Sequence, residues 1–149
     1  RGAAVAEVLS LGVLIFVAHR SIEARLMAAA REAGYTDFTI AQARLMARMS
    51  PHGSRISDLA ERSMIAKQTA TALVDRLEHA GYVERVPDPA DGRARVVRFT
   101  AKAEEVRPLA EATEAAVYAE WAAHLGPERM EQLREALTLL REINDPFQN

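Results

Sequence analysis

The sequence predicts a mainly α-helical protein with one small β-hairpin, an α+β fold in which a winged helix-turn-helix lies between helices at either end. Apolar residues recur at three- and four-residue spacing over most of the chain, which is typical of helices. Alternation of period two is confined to two short runs near residues 82–100, which indicates a hairpin. Two short helical segments joined by a tight turn come directly before that hairpin, and this is the order of a winged helix-turn-helix.

The composition limits the class of protein. The 149 residues suffice for one domain with helical extensions, and 49% of them are hydrophobic while only 5% are aromatic. The chain has no cysteine, which excludes a disulfide framework, a thiol nucleophile and a thiolate metal site. This agrees with a reducing compartment, so we expect a cytoplasmic protein. The net charge of -2 weighs against a nucleic-acid-binding protein, although an overall balance hides where the charges lie.

The first helix is predicted from Ala3 to Ala33, with Gly34 as the residue that ends it. Its apolar residues surround most of the helix instead of forming one stripe, which indicates burial on several sides and therefore a partner subunit. The longest apolar stretch, Val8 to Ala18, is shorter than the roughly 20 residues of a membrane span, so we expect no membrane partner.

Turn and capping signals predict three shorter helices next. Residues 50–53, Ser-Pro-His-Gly, form a turn that separates the second helix from the third. Ser57 is expected to cap the third helix, and Gly81 to end the fourth. The predicted bounds of these helices are Thr39 to about Met49, Asp58 to Arg62, and Lys67 to His79.

Two strands and two helices complete the predicted order. The turn between the strands, residues 87–92, contains two prolines that are not expected to pair in the ladder. Pro108 falls early in the fifth helix, where it either occupies the first turn or kinks the helix. The predicted bounds are Tyr82 to Val86 and Arg95 to Thr100 for the strands, then Ala101 to about Leu125 and Glu128 to Ile143 for the helices.

The fourth helix has a polar face suited to reading the major groove of DNA. Lys67 can bind guanine or a phosphate, Gln68 can pair with an adenine edge, and Thr71 can contact a base or the backbone. Thr69 is short enough to let the helix approach closely, and Arg76 adds a positive charge further along. An ordinary solvated helix face is the alternative interpretation of the same pattern.

Basic residues concentrate in and beside the hairpin, which favours DNA as the partner of this region. Arg93 and Arg95 stand at or beside the hairpin tip, where an arginine can enter a narrow minor groove. The alternative is that these charges protect an exposed edge strand. The basic residues of this region are Arg85, Arg93, Arg95, Arg98 and Lys102.

Between residues 57 and 102 the sequence resembles the MarR (multiple-antibiotic-resistance regulator) family of winged helix-turn-helix transcription regulators. The motifs that carry the resemblance are Leu59-Ala60-Glu61, Thr69 through Glu78, Gly81 to Arg85, Pro87 to Ala94 with its Asp91-x-Arg93 element, and Val97 to Thr100. Such proteins are homodimers that bind pseudo-palindromic operators on double-stranded DNA, typically as repressors. Many of them release the DNA when a small phenolic or anionic effector binds.

The resemblance implies a division of the chain. Residues 1–34 and 101–149 would form the dimerisation region, and residues 35–100 the DNA-binding domain. The helix that begins at Lys67, the recognition helix, would enter the major groove. The hairpin is the wing of the fold, and its tip would enter the minor groove. The predicted DNA-binding residues are Lys67, Gln68, Thr69, Thr71, Arg76, Arg93 and Arg95.

The resemblance also implies an ion pair between Asp75 and Arg93 that orients the wing against the recognition helix. Four residues depart from the family pattern, and one of them is Ala103, which stands where glycine is usual after Lys102. Ala66 removes the usual cap of the fourth helix, while Ala72 and Gly92 replace common basic residues. The last three departures and the net negative charge favour the alternative function, a winged-helix protein-interaction module that has lost DNA binding.

His19 and Arg20 on the first helix are candidates for a ligand crevice, together with Tyr35 or Met46; filling the core or the interface is their alternative role. The histidines do not have the spacing of a zinc site, so we expect no metal. Neither a glycine-rich phosphate loop nor a nucleophile motif is present, and we therefore expect no cofactor, no catalytic residues and no enzyme activity.

Overall fold

The computed structural model describes residues 8–145 and residue 147, and over these residues the predicted fold class is confirmed. Six helices and one antiparallel hairpin are present in the described part of the chain. Their bounds are α1 Leu11–Glu32, α2 Ile40–Met46, α3 Ile56–Ser63, α4 Lys67–His79, β1 Val83–Pro87, β2 Arg95–Phe99, α5 Ala101–Leu125 and α6 Pro127–Asn144.

Helix α1 begins later than the apolar pattern predicted. Ser10 is its N-cap, with an extended backbone and a side chain that accepts a hydrogen bond from the Val13 amide at 3.3 Å. Residues 8–10 are therefore outside the helix, and the predicted start at Ala3 lies outside the described residues. A capping hydroxyl satisfies an amide that the helix itself leaves free, which fixes the boundary here more strongly than hydrophobic periodicity does.

The two middle helices also differ from their predicted bounds. Thr39 is the N-cap of α2 and forms a capping box with Gln42, and the helix ends at Met46 instead of Met49. Helix α3 begins at Ile56, so Ser57 lies inside it and its predicted capping role is wrong. By contrast, α4 has the predicted bounds, and its N-cap lacks a side-chain hydrogen bond, as expected for alanine at that position.

The hairpin pairs Val83 with Phe99 and Pro87 with Arg95. The expectation that Pro87 stays out of the ladder is therefore corrected. It occupies the last position of β1, where a missing amide proton costs least, and the turn continues with the Asp88 amide donating to the Ala94 carbonyl at 2.9 Å. Pro108 is accommodated within the single helix α5.

The buried core lies almost wholly in the segment from α2 to β2. Its largest fully buried side chains come from α2, α3, α4 and the hairpin: Tyr82, Leu45, Leu59, Leu77, Val74, Val83 and Val97. Helix α6 buries no residue against its own chain, and α1 buries only Glu23 and Ala30. A rigid helix-turn-helix with its wing is therefore flanked by helices whose apolar faces remain open.

Within the residues described, none of the helices combines the length and the apolarity that crossing a membrane would need.

Met64, at the end of α3, is the non-glycine residue with a left-handed backbone in the described chain, with φ of 55°. A side chain in this conformation costs about 1–2 kcal/mol, while glycine loses about 0.4–1 kcal/mol through the entropy of the unfolded chain. We expect Met64→Gly to raise the free energy of unfolding by up to about 1 kcal/mol, measured by urea denaturation.

The control for this change is Met64→Ala, which removes the side chain and keeps the strained backbone. Because Met64 is 75% exposed, we expect the alanine variant to unfold at nearly the wild-type urea concentration. A glycine variant less stable than the alanine variant would contradict the strain at this turn.

Candidate nucleic-acid interface

Helix α4 turns one face to the core and the other to solvent. Its buried residues are Ala70, Val74 and Leu77, which pack in the core of the helix-turn-helix. This packing leaves the opposite side free, and Lys67, Gln68, Thr69 and Arg76 are all exposed. The structure therefore brings most of the predicted groove-reading residues onto one accessible surface.

Thr71 differs from the other predicted contacts on this helix. It is only half-exposed, and its hydroxyl donates a hydrogen bond to the Lys67 carbonyl at 2.9 Å. The hydroxyl proton is thus already used within the helix, which leaves the oxygen as an acceptor and the methyl group for apolar contact.

The wing is fixed to α4 by a residue other than the predicted one. The guanidinium of Arg85, on β1, donates to the carboxylates of Asp75 at 2.5 Å and Glu78 at 2.8 Å. The predicted Asp75–Arg93 ion pair is corrected accordingly. Arg93 stays in the turn at the wing tip, where its backbone amide donates to the Asp91 carboxylate at 3.1 Å. Because β1 follows α4 almost directly, Arg85 is the arginine within reach of that helix.

A second contact ties the wing to α3. The Arg55 guanidinium donates to the Asp88 carboxylate at 2.9 and 3.1 Å, and that carboxylate also accepts the Ala90 amide at 2.9 Å. The hydrogen bond from the Ala90 amide is the main cause that lowers the pKa of Asp88, and the hydrogen bond from Arg55 is the second. The sequence analysis missed this pair, because nothing local in the sequence indicates that the start of α3 lies beside the wing turn.

Several of the basic residues predicted to attract DNA are neutralised by acids. Besides Arg85, Arg98 pairs with Glu84 at 2.7 Å, and Lys102 pairs with Asp37 at 2.6 Å. These charges stabilise the junctions of the domain and add little positive potential.

Among the described residues, the exposed cations of this face that form no ion pair are Lys67, Arg76, Arg93 and Arg95. The first two lie on α4 and the other two on the wing. Arg95 also donates to the Arg85 carbonyl at 2.9 Å, which holds its side chain along the hairpin. The positive charge available to a polyanion is therefore divided between one helix and the wing beside it.

The predicted ligand crevice is split by the structure. His19 lines a cavity of about 430 Å³ between α1, α2, α3 and α5, and Met46 lines a neighbouring cavity of about 340 Å³. Arg20 and Tyr35 line neither of these two cavities. Arg20 pairs at 3.0 Å with Glu23, which itself lines the cavity beside His19, and the place of Arg20 and Tyr35 in a ligand crevice stays a prediction.

Glu23 is a buried carboxylate that the sequence analysis did not identify. It accepts hydrogen bonds from Arg44 of α2 at 2.5 and 2.9 Å, and it lies beside Arg20 and His19 of its own helix. The Arg44 guanidinium is the main cause that lowers the pKa of Glu23 to about 2. The signal in the sequence was an acidic residue between the apolar positions Ile22 and Leu26 of α1.

Comparison with known proteins relates the middle of the chain to one family. Residues 36–94 match the model of the MarR family. The HTH-type transcriptional regulator YfiV of Bacillus subtilis (strain 168) is 32% identical over 71 residues, which are 47% of this chain and 44% of YfiV. The matched part thus spans less than half the length of the curated relatives.

Solved structures extend the likeness to nearly the whole chain. CouR from Rhodococcus jostii RHA1, crystallised with p-coumaroyl-CoA, has a TM-score of 0.71 at 20% identity and covers 98% of both chains. Wild-type apo MarR from E. coli has a TM-score of 0.65 at 23% identity, over 90% of this chain and 98% of that one. The predicted fold and the resemblance to this family are confirmed. The curated relatives that match part of the chain are named as transcriptional regulators, which agrees with the expectation of no enzyme activity.

Proposed function

We propose that this protein binds a pseudo-palindromic operator as a homodimer and represses transcription, since residues 36–94 match the MarR family model and the described fold is that of such regulators. The observation that carries the proposal is that the exposed cations without an ion pair lie on α4 and on the wing, which Arg85 holds to α4. Helix α4 enters the major groove and reads base edges through Lys67 and Gln68. Arg93 and Arg95 enter the adjoining minor groove or bind its phosphates.

The homodimer is supported by large apolar side chains that are exposed to solvent in the single chain. Helices α1 and α6, with the residues just before α1, expose large hydrophobic groups in an amount that a monomer rarely tolerates. We propose that residues 1–34 and 101–149 form the dimerisation region of a cytoplasmic protein, and that residues 35–100 form its DNA-binding domain. The exposed groups include Leu11, Leu14, Phe16, Val17, Leu137, Leu139, Leu140 and Ile143.

The cavity beside His19 supports a response to a small effector. It lies between the helix α1 of the dimerisation region and the helices α2 and α3 of the DNA-binding domain, and its lining includes Arg44 and Arg48. A phenolic or anionic molecule bound there would contact both parts at once and shift their relative position. CouR, which shares this fold, was crystallised with p-coumaroyl-CoA.

Operator binding by single variants tests the proposal. In fluorescence anisotropy with promoter DNA from the protein's own locus, we expect Arg93→Ala and Arg95→Ala each to weaken binding about tenfold. Each should also reduce the slope of log K against log salt by about 0.9, since each removes one phosphate contact. Lys67→Ala and Gln68→Ala should each reduce the difference in binding free energy between operator and unrelated DNA by about 1–3 kcal/mol.

Arg129→Ala is the matched control. Arg129 is an exposed arginine of α6, and the whole of α5 separates it from the hairpin in sequence. Its removal changes the net charge by the same amount, and we expect wild-type affinity. Full binding in all four interface variants would contradict the assignment of this surface to DNA.

The second candidate function is a winged-helix module that binds protein instead of DNA. It is favoured by the pairing of Arg85, Arg98 and Lys102 with acids, which leaves fewer free cations than the sequence suggested. In that case the wild type itself would show weak binding to every DNA duplex, without preference for any promoter.

A further inference from the structure

The chain that follows α6 returns to the helix-turn-helix. Asp145 is the C-cap residue of α6, and its carboxylate accepts a hydrogen bond from Arg48 at 2.9 Å, although the two residues are 97 positions apart in sequence. Arg48 is only half-exposed and follows the end of α2. A dimerisation helix and the DNA-binding domain thus meet through a direct ion pair.

This carboxylate is held on several sides. Arg141, one turn earlier in α6, donates to its second oxygen at 2.9 Å, and the Phe147 amide donates to the first at 3.0 Å. The Asp145 side chain is only 10% exposed. Hydrogen bonds from Arg141, then from the Phe147 amide and Arg48, lower its pKa to about 2, so it is charged at neutral pH. Arg141 and Phe147 are close to Asp145 in sequence, whereas Arg48 belongs to a distant part of the chain.

Phe147 makes the second contact. Its ring lies 4.6 Å from the centre of the Arg62 guanidinium, in cation–π geometry, and its carbonyl accepts a hydrogen bond from Arg141 at 3.0 Å. Arg62 belongs to the last turn of α3, directly before the turn that leads into α4. Arg48 also donates to the Arg62 carbonyl at 3.1 Å, so both contacts converge on this point.

We propose that Asp145 and Phe147 form a clasp that positions the recognition helix relative to the dimerisation region. The clasp contacts Arg48, which follows α2, and Arg62, in the last turn of α3, and it joins both residues to the end of α6. In a dimer it therefore fixes the distance between the two α4 helices, and with it the spacing of half-sites that the protein accepts. Asp145 and Arg48 are positioning residues in this proposal, which rests on the proposed homodimer.

The distance between the recognition helices can be measured without DNA. The chain has no cysteine, so His79→Cys, at the exposed end of α4, gives one spin label per protomer. In double electron–electron resonance, we expect Asp145→Asn and Phe147→Leu each to broaden or shift the distance distribution between protomers. Glu104→Gln is the matched control, because it breaks an exposed ion pair with Arg107 within α5 and should leave the distribution unchanged.

Spacing of half-sites gives the functional readout. The wild type should bind an operator of its own spacing at least about tenfold more tightly than one lengthened by two base pairs. In the clasp variants this ratio should fall to below about threefold, while affinity for an isolated half-site stays the same because α4 and the wing are untouched. A purely structural role would lower the affinity for all three duplexes together.

The outcomes separate the two proposals. If the labelled His79→Cys protein without a clasp substitution shows no distance between labels, it is a monomer. That result overturns the proposed homodimer and, with it, the role of the clasp. If the protein is a dimer, and its label distances and spacing preference are the same in Asp145→Asn, Phe147→Leu and wild type, only the role of the clasp is overturned. Two variants are used so that a folding defect in one of them, visible by circular dichroism, leaves the other as the test.

Discussion

Replacing Leu139 by aspartate is expected to convert the protein to a monomer and to lower its affinity for the operator by more than about 100-fold. Leu139 is 56% exposed on α6, a helix with no buried residue in its own chain. A charged carboxylate placed in an apolar interface has no partner there, and its desolvation opposes association by several kcal/mol. Each half-site would then be bound separately, and the gain from two linked contacts would be lost.

Light scattering coupled to size-exclusion chromatography measures the oligomeric state directly. Thr138→Asp is the matched control, since it adds the same charge to the same helix at an exposed position whose hydroxyl only donates to the Arg134 carbonyl at 2.7 Å. We expect this variant to remain dimeric and to keep its affinity. A dimeric Leu139→Asp protein with unchanged operator binding would show that α6 lies outside the interface.

Features set by local chemistry were predictable from the sequence. The bounds of α4 follow from its helical periodicity and the glycine after it, and the hairpin follows from alternation around a turn rich in proline and aspartate. The start of α1 was placed less accurately, because capping by Ser10 decides its first residue. Periodicity marks the body of a helix, but the ends depend on single hydrogen bonds.

Partners distant in sequence were not predictable. Asp75 was assigned to Arg93 by resemblance, yet Arg85 reaches it because β1 follows α4 at once. The pair of Arg48 with Asp145 joins the residues after α2 to the end of α6, and no local sequence pattern indicates this contact. A chain with many arginines offers each carboxylate several candidate partners, and only the packing of the elements selects one of them. The exposed polar face of α4 was thus predictable, but not the ion pairs that hold the wing beside it.

The Glu23–Arg44 pair is expected to contribute strongly to the loss of stability at acidic pH. The Glu23 side chain is 8% exposed, and its pKa lies at about 2 instead of its ordinary 4.5, chiefly because of Arg44. Such a shift corresponds to about 3 kcal/mol of stability at neutral pH, which the half-exposed Arg44 reduces to about 2 kcal/mol through solvent screening. We expect Glu23→Gln to lower the free energy of unfolding by that amount. Arg44→Met should cost about 3 kcal/mol, since it leaves a buried charge with fewer partners.

The sign of the pH effect follows from the lowered pKa. A carboxylate with a lower pKa in the folded state stabilises the fold above the ordinary value of 4.5, and this contribution is lost as the pH falls toward 2. In urea denaturation, the difference between wild type and Glu23→Gln should be constant from about pH 7 to pH 5 and fall by more than half by about pH 3. Glu120→Gln, which breaks the exposed pair of Glu120 with Arg25 between α1 and α5, should have a smaller effect at neutral pH. A Glu23→Gln difference that stayed constant down to pH 3 would mean that the cost comes from packing of the amide and not from the charge of Glu23. The link between α1 and α2 would then owe little to electrostatics.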